Sequence, residues 1–214
     1  MRHIAAAVIC LAVVSLHAQS IATIVGGGSD DGQLATAIPI TSPRGIAVDA
    51  SGNVYFAEGA GRVRRVDGRG IVTTIAGNGA AGLSGDGGLA VNAVLNQPEG
   101  IVFDSAGNLY IADLKNNRIR RVDAKSGIIT TFASDLKSPA GIAISGGFLY
   151  VAESDSEGNA IRRIDLATKV VEPIASNLKT PFGSSRIADV ATRPSPMNVP
   201  PPASAVRLPS AATR

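Results

Sequence analysis

Acidic residues close three similar apolar segments of the sequence, and they are the first candidates for chemistry. Glu58, Asp113 and Glu153 each follow a run of aliphatic and aromatic residues. Carboxylates that meet at one rim of a protein can hold a divalent cation. The alternative, which we favour, is structural: Asp113 with Asn116, Asn117 and Arg118 fits a turn closed by side-chain to backbone hydrogen bonds and a short ion pair. We keep five candidate binding residues: Glu58, Asp113, Asn117, Arg118 and Glu153.

Arginines recur a few residues after each acidic position. They could line one basic surface, but each group is followed by an aspartate at a fixed distance. We therefore interpret them as exposed charge pairs, which contribute about 0 to 1 kcal/mol each. The recurring arginines are Arg62, Arg118, Arg120, Arg121, Arg162 and Arg163, and the aspartates are Asp67, Asp123 and Asp165.

The first 18 residues have the three parts of a secretory signal peptide. A basic start is followed by an apolar run over residues 4–16, and Ala18 offers a small residue for cleavage. This run is shorter than the roughly 20 residues that span a bilayer. We expect a signal peptide at 1–18, a secreted or periplasmic protein, and no membrane span after cleavage.

Cleavage would remove every histidine and cysteine of the chain. His3, Cys10 and His17 are the only residues of these types, and all lie before the expected cleavage point. Zinc and copper sites built on imidazole or thiolate, and histidine-based triads, are then excluded from the mature protein. We expect no cofactor, no metal and no catalytic residues.

The net charge of +3 does not indicate a nucleic-acid partner. Residues 19–183 contain 15 Lys and Arg against 16 Asp and Glu, and the positive excess lies at the two ends of the chain. A nucleic-acid surface needs a concentrated positive face. We therefore expect no nucleic acid.

An internal repeat organises the middle of the chain. Residues 42–58, 97–113 and 138–153 align with one another, each followed by an arginine-rich strand pattern and a fourth apolar run. Prolines 43, 98, 139 and 181 are spaced by 55, 41 and 42 residues, and the longer interval contains the glycine-rich stretch 77–88. Four short strands with a period near 40 are typical of β-propeller blades.

The repeated pattern resembles the NHL repeat. It reads Pro-x-Gly-Ile-Ala-Val-Asp and then Gly-Asn-Val-Tyr-Phe-Ala-Glu in its first copy, over residues 43–58. This resemblance implies a six-bladed propeller of TolB-like type. Peptide amidating lyase, an enzyme with this repeat, uses histidine-held zinc that the mature chain could not supply. Gluconolactonase-like propellers are a related class that holds a divalent ion with carboxylates and amides.

The repeat gives the expected organisation of an all-β, incomplete propeller. We expect NHL-type blades over 19–183, with full blades at 43–76, 98–133 and 139–175 and partial strands at 21–25 and 181–183. The tail at 184–214 is rich in Pro, Ala and Ser, which predicts disorder. Because the pattern stops within a fourth repeat, we expect a truncated or frame-shifted form of a longer propeller, or an arc completed by a second chain.

The function indicated is a non-catalytic, exported binding or scaffold module for a protein, peptide or glycan. Blade faces without neighbours would also favour self-association. Two alternatives stay open: a gluconolactonase-like hydrolase that uses carboxylates and a metal, and a non-functional fragment of a longer six-bladed propeller.

Overall fold

The computed structural model describes residues 31–154 and 159–178, and these form three antiparallel sheets of four strands each. Each sheet is built from four strands that are consecutive in the chain, so each is one blade. The strands are β1 (Pro43–Val48), β2 (Val54–Glu58), β3 (Arg62–Val66) and β4 (Val72–Ala76) in the first blade, β5 (Pro98–Phe103), β6 (Leu109–Asp113), β7 (Arg118–Val122) and β8 (Ile129–Ala133) in the second, and β9 (Pro139–Ser145), β10 (Phe148–Glu153), β11 (Asn159–Asp165) and β12 (Val171–Leu178) in the third.

The fold class expected from the repeat is confirmed by these three blades. Single-turn 3₁₀ helices lie in the connections, at Ala35–Ala37, Ala90–Asn92 and Leu114–Asn116. The third blade ends at Leu178, whereas the repeat pattern placed its end at 175. The expected signal peptide, the partial strands at 21–25 and 181–183 and the tail at 184–214 lie outside the described residues. Within the described residues, no helix has the length and hydropathy needed to cross a membrane.

Glycines bring the first strands of neighbouring blades into close contact. A Cβ on Gly45 would lie 2.3 Å from the carbonyl oxygen of Glu99, and one on Gly100 would lie 2.4 Å from that of Ala140. No side chain fits at such distances, so the two glycines allow β1, β5 and β9 to lie side by side. Each Gly follows its blade's proline by two residues, as the repeat requires.

Apolar clusters fill the spaces between the blades. One cluster joins the first and second blades through residues such as Tyr55, Ile101 and Ile111. A second joins the second and third blades through residues such as Tyr110, Ile142 and Val151. The two larger apolar clusters therefore lie between the sheets, and the blades stabilise one another by stacking.

Candidate functional site

The carboxylates that end the second strand of each blade are buried. Glu58, Asp113 and Glu153 expose 3%, 0% and 1% of their surface. Each accepts a hydrogen bond from the backbone N–H two residues before the proline of its own blade. These bonds run from Thr41 to Glu58 (3.3 Å), from Asn96 to Asp113 (2.8 Å) and from Lys137 to Glu153 (2.9 Å).

These bonds hold a turn with unusual backbone geometry. The residue immediately before each proline has a positive φ, an angle that non-glycine residues adopt only when the surroundings fix it. The three residues are Ser42 (50°), Gln97 (52°) and Ser138 (44°). Each carboxylate therefore positions the chain as it turns into the first strand of a blade.

Asp113 has the most crowded environment of the three. Its second carboxylate oxygen accepts a hydrogen bond from the Asn116 amide (2.8 Å) and lies 3.5 Å from the Arg120 guanidinium. Burial raises the pKa of Asp113, although the bonds from Asn116 and the Asn96 N–H and the charge of Arg120 oppose that rise. The ion pair of this turn is therefore with Arg120, whereas the sequence suggested Arg118.

Arg118 and Asn117 lie at the surface of the same turn. The Arg118 Nε donates to the Asn116 carbonyl oxygen (3.0 Å), and its side chain is half-buried. Asn117 is exposed, has a positive φ of 55°, and accepts a hydrogen bond from the Ser138 N–H (3.0 Å) at its side-chain oxygen. Asn117 thus links the second blade to the turn that leads into the third.

The structure does not gather the recurring carboxylates around one point. Among the described residues, no group of three Asp, Glu, His or Cys side chains is arranged to hold a metal ion. Glu58, Asp113 and Glu153 each serve their own blade.

Two arginines of the third strands are buried and bind aspartates that were not among the residues singled out from the sequence. Arg120 is fully buried, and its guanidinium lies 2.6 Å from the carboxylate of Asp86 in the glycine-rich stretch. Asp86 also accepts a hydrogen bond from the Thr131 hydroxyl (2.7 Å). Burial alone would raise the pKa of Asp86, but the Thr131 bond and the positive charge of Arg120 lower it.

The first blade contains the same arrangement. Arg64 is 1% exposed and lies 3.0 Å from Asp31, which also accepts hydrogen bonds from the N–H and hydroxyl of Thr74 (2.8 and 2.9 Å). The expectation of exposed charge pairs therefore does not describe Arg120, and Arg64 in the first blade is buried in the same way. The sequence signal was the order Asp-Gly-x-Leu-Ala, which occurs at 31–35 and again at 86–90.

The third blade departs from this pattern. Arg162 occupies the position of Arg64 and Arg120, but it donates to Glu153 of its own blade (2.6 Å). Opposite Arg162 in the fourth strand stands Pro173, where the other blades have Thr74 and Thr131. Proline has neither a hydroxyl nor an N–H, so an aspartate could not bind there in the same way.

Two short stretches continue from Asp31 and Asp86 and lie along the outermost strands. We call residues 31–35 and 86–90 the covering segments. Leu34 forms an antiparallel bridge with Ile71, and Leu89 forms one with Ile128. The outer edges of the first two blades are therefore paired, which leaves fewer free backbone groups for unwanted strand pairing.

Apolar side chains of the second covering segment border a cavity between the first two blades. This cavity, of about 310 Å³, is lined by residues that include Tyr55, Phe103, Leu89 and Val91. The rings of Tyr55 and Phe103 meet edge to face, with centroids 4.7 Å apart. Leu89 and Val91 are 52% and 41% exposed, so the cavity has an apolar rim.

Known proteins share both the sequence pattern and the fold. Teneurin-4 of Mus musculus is 33% identical over 153 residues, which cover 59% of this chain and 6% of teneurin-4. A structure of a nidogen–laminin complex aligns with a TM-score of 0.53 at 20% identity, covering 66% of this chain and 51% of the other. A gluconolactonase from Xanthomonas campestris aligns with a TM-score of 0.50 at 15% identity, covering 71% and 58%. At these identities the two structures show the fold alone.

The teneurin NHL domain family matches residues 17–83 and 78–137, which together are more than half of the chain. The chain spans about 6% of the length of the curated relatives that it matches. The two matched ranges include the first two blades and both covering segments. The chain belongs to the teneurin NHL domain family, and its described residues form three blades of an NHL-repeat β-propeller.

Proposed function

We propose that this protein is a non-catalytic, exported binding or scaffold module for a protein, peptide or glycan. The observation that carries this proposal is the internal use of the recurring carboxylates. Glu58, Asp113 and Glu153 are buried and accept hydrogen bonds from the backbone of their own blades. A catalytic carboxylate must instead reach a substrate or an activated water.

The solvent-facing surface supports binding better than catalysis. Leu83, Leu89 and Val91 are all more than 40% exposed and belong to the connection between the first two blades. Exposed apolar side chains beside a cavity are typical of surfaces that contact a partner. Of the five candidate binding residues, only Asn117 and Arg118 reach solvent. We therefore propose that these two, and not the three buried carboxylates, contact the partner.

Export is part of the same proposal and rests on residues 1–18. Their basic start, apolar run and Ala18 match a cleavable signal peptide. Expression in a host with an export pathway should place the protein outside the cytoplasm. The amino-terminal sequence of that protein should begin at Gln19. Recovery of the protein only from the cytoplasm, with Met1 retained, would contradict export.

A direct test of the function separates binding from hydrolysis. The purified chain is assayed on arrays of peptides and glycans, and in parallel for lactone hydrolysis with and without calcium. We expect saturable binding to at least one array class, no hydrolysis, and no shift of the melting temperature with calcium. Calcium-dependent hydrolysis that Asp113→Asn abolishes would show that the gluconolactonase-like alternative is correct. The surface variants Arg118→Ala and Asn117→Ala should both change binding, and Asn117→Ala should also lower the melting temperature, because it removes the acceptor of the Ser138 N–H at a residue with a positive φ.

A further inference from the structure

The outer edges of the first two blades are covered in the same way. In the first blade, Gly32 N–H donates to the Val72 carbonyl (2.8 Å), and Val72 N–H donates to the Gln33 carbonyl (3.0 Å). Ala35 N–H then donates to the Gly70 carbonyl (2.7 Å). Each covering segment thus behaves as a short fifth strand.

The second blade repeats the three bonds at the equivalent positions. Gly87 N–H donates to the Ile129 carbonyl (2.8 Å), Ile129 N–H donates to that of Gly88 (3.0 Å), and Ala90 N–H donates to that of Gly127 (2.9 Å). The two covering segments share the order Gly-x-Leu-Ala, at 32–35 and 87–90. The first two blades therefore both show that a Gly-x-Leu-Ala segment fits the outer edge of a blade.

In the third blade, no described residue pairs with the outer edge of β12. Val171 pairs with Ile164 in the register in which Val72 pairs with Val66 in the first blade. Val72 is completely buried, whereas Val171 is 37% exposed. Ala35 packs in the same apolar cluster as Val72, so the difference in exposure follows from the covering segment.

The backbone groups at this edge point outward. The Val170 carbonyl accepts a hydrogen bond from the Asp165 N–H (3.0 Å), so Val170 faces β11. Because successive residues of an antiparallel strand alternate in direction, the N–H and carbonyl of Val171 face away from the blade. Lys169 has a φ of 62° and occupies the position of Gly70 and Gly127, whose carbonyls accept bonds from the covering segments.

The connection that precedes the third blade is too short to supply a cover. The second covering segment comes from the long connection between β4 and β5, at residues 77–97, whereas β8 and β9 are joined by residues 134–138. Five residues reach about 17 Å at full extension, and these must already join two strands. The cover therefore has to come from a different stretch of polypeptide.

We propose that the outer edge of the third blade, residues 169–171, binds an extended peptide segment of Gly-x-Leu-Ala type from a partner protein. This inference rests on the proposed binding function and adds the chemistry of the partner. The segment would lie antiparallel to β12, exchange two hydrogen bonds with Val171 and donate a third to the Lys169 carbonyl, which is strand addition at a sheet edge. A small residue is needed at the alanine position, because Ala35 and Ala90 are 2% exposed at their contacts.

An acidic residue before the glycine should add nothing at this edge. In the other blades Asp31 and Asp86 bind an arginine and a threonine. In the third blade Arg162 forms its ion pair with Glu153, and Pro173 lies opposite Arg162 in β12. A peptide bound at β12 should therefore not depend on this acidic residue. A peptide that replaces a covering segment in the first or second blade should depend on it.

The test uses the full ¹⁵N-labelled chain and a labelled peptide of sequence Asp-Gly-Gln-Leu-Ala-Thr-Ala. We expect saturable fluorescence anisotropy and amide shifts centred on Lys169 and Val171. A peptide with asparagine in place of aspartate should bind equally, and one with lysine in place of the first alanine should bind at least about ten-fold more weakly, or 1.4 kcal/mol. Val171→Lys should weaken binding similarly, whereas Ile174→Lys, at a position of 40% exposure in the same strand, should not.

Three results would overturn this inference: no saturable binding, amide shifts centred on Val72 or Ile129, or loss of binding with the asparagine peptide. Protection of the Val171 amide in the peptide-free chain would also overturn it, because another stretch of polypeptide would then cover the edge. The peptide variants use the unaltered protein, so a folding defect in Val171→Lys does not affect the conclusion. Binding to other array members despite these failures would leave the broader binding function intact.

Discussion

The carboxylate of Asp86 lies 2.6 Å from the guanidinium of Arg120, whose side chain is completely buried. This ion pair binds the glycine-rich connection to the second blade, which follows it in the chain. The same relationship joins Asp31 to Arg64 in the first blade, at 3.0 Å. Charged residues that recur with the repeat therefore hold segments of the propeller together, rather than forming one surface.

Removal of this pair should destabilise the second blade. Asp86→Ala leaves the buried Arg120 with Asp113 as its remaining acidic partner, at 3.5 Å. We expect the free energy of unfolding to fall by about 2 kcal/mol, since a buried charge loses its closest partner. Urea denaturation monitored by circular dichroism measures this change.

Asp135→Asn is the matched control for Asp86→Ala. Asp135 is exposed, and its carboxylate accepts a hydrogen bond from the neighbouring Ser134 hydroxyl. Its substitution should change the free energy of unfolding by less than about 0.5 kcal/mol. Equal effects of the two substitutions would show that the Asp86–Arg120 pair adds no stability.

Close contact between blades predicts intolerance of alanine at Gly45 and Gly100. The added Cβ would lie within 2.4 Å of a backbone oxygen in the neighbouring blade, so β1, β5 or β9 must shift. We expect each substitution to cost about 1 to 3 kcal/mol of unfolding free energy. Gly68→Ala is the control, because a Cβ there would meet no atom within 4 Å. Unchanged melting temperatures for Gly45→Ala and Gly100→Ala would contradict the stacked arrangement.

Acid should destabilise the protein through the turn at Asp123. The carboxylate accepts hydrogen bonds from the N–H and hydroxyl of Ser126 and from the Lys125 N–H, which lower its pKa to about 2. A lowered pKa in the folded state stabilises the fold above the ordinary value of 3.8, and this stability is lost as the pH falls toward 2.

Thermal melting between about pH 5 and pH 2 tests this acid sensitivity. Asp123→Asn should show a smaller fall in melting temperature over this range than the unaltered protein. Ser126→Ala removes the hydroxyl donor and should move the fall to higher pH. Identical pH profiles for all three proteins would contradict the role of this turn.

One face of the first blade is exposed and has no neighbouring blade among the described residues, which predicts self-association. Ile46 and Val48 are 66% and 59% exposed, whereas Ile101 and Phe103, at the same positions of the second blade, pack against the first blade. Sedimentation velocity should show concentration-dependent association, which Ile46→Lys with Val48→Lys reduces. A monomer at all concentrations would contradict it. The control Leu34→Lys places a charge at a site of 54% exposure away from β1.

Much of the fold could be predicted from the sequence, because each blade is encoded by one short repeated segment. Gly52 and Gly107, with φ values of 81° and 82°, lie in the turns between the first and second strands of their blades, where a Gly-Asn pair of the repeat recurs. Four strands per blade and the stacking of blades follow from the same periodicity. These features need only short-range patterns and the known spacing of blades.

The covering segments could not be predicted in the same way. Residues 77–88 carry no strand periodicity, and the partner of Asp86 is 34 positions further along the chain. The burial of Arg120 depends on that distant contact, so its position in a charged, arginine-rich strand indicated an exposed side chain instead. The shared order Asp-Gly-x-Leu-Ala at 31–35 and 86–90 was the local signal of a shared role.

Hydrogen exchange at three equivalent amides measures the difference between the covered and open blade edges. The N–H groups of Val72 and Ile129 donate to Gln33 and Gly88 at 3.0 Å, and that of Val171 has no bond from the described residues. Val72 and Ile129 should exchange slowly and Val171 at least about a hundred-fold faster, since protection follows hydrogen bonding and burial. Equal protection of the three amides would contradict the open edge of the third blade and the peptide-binding role inferred from it.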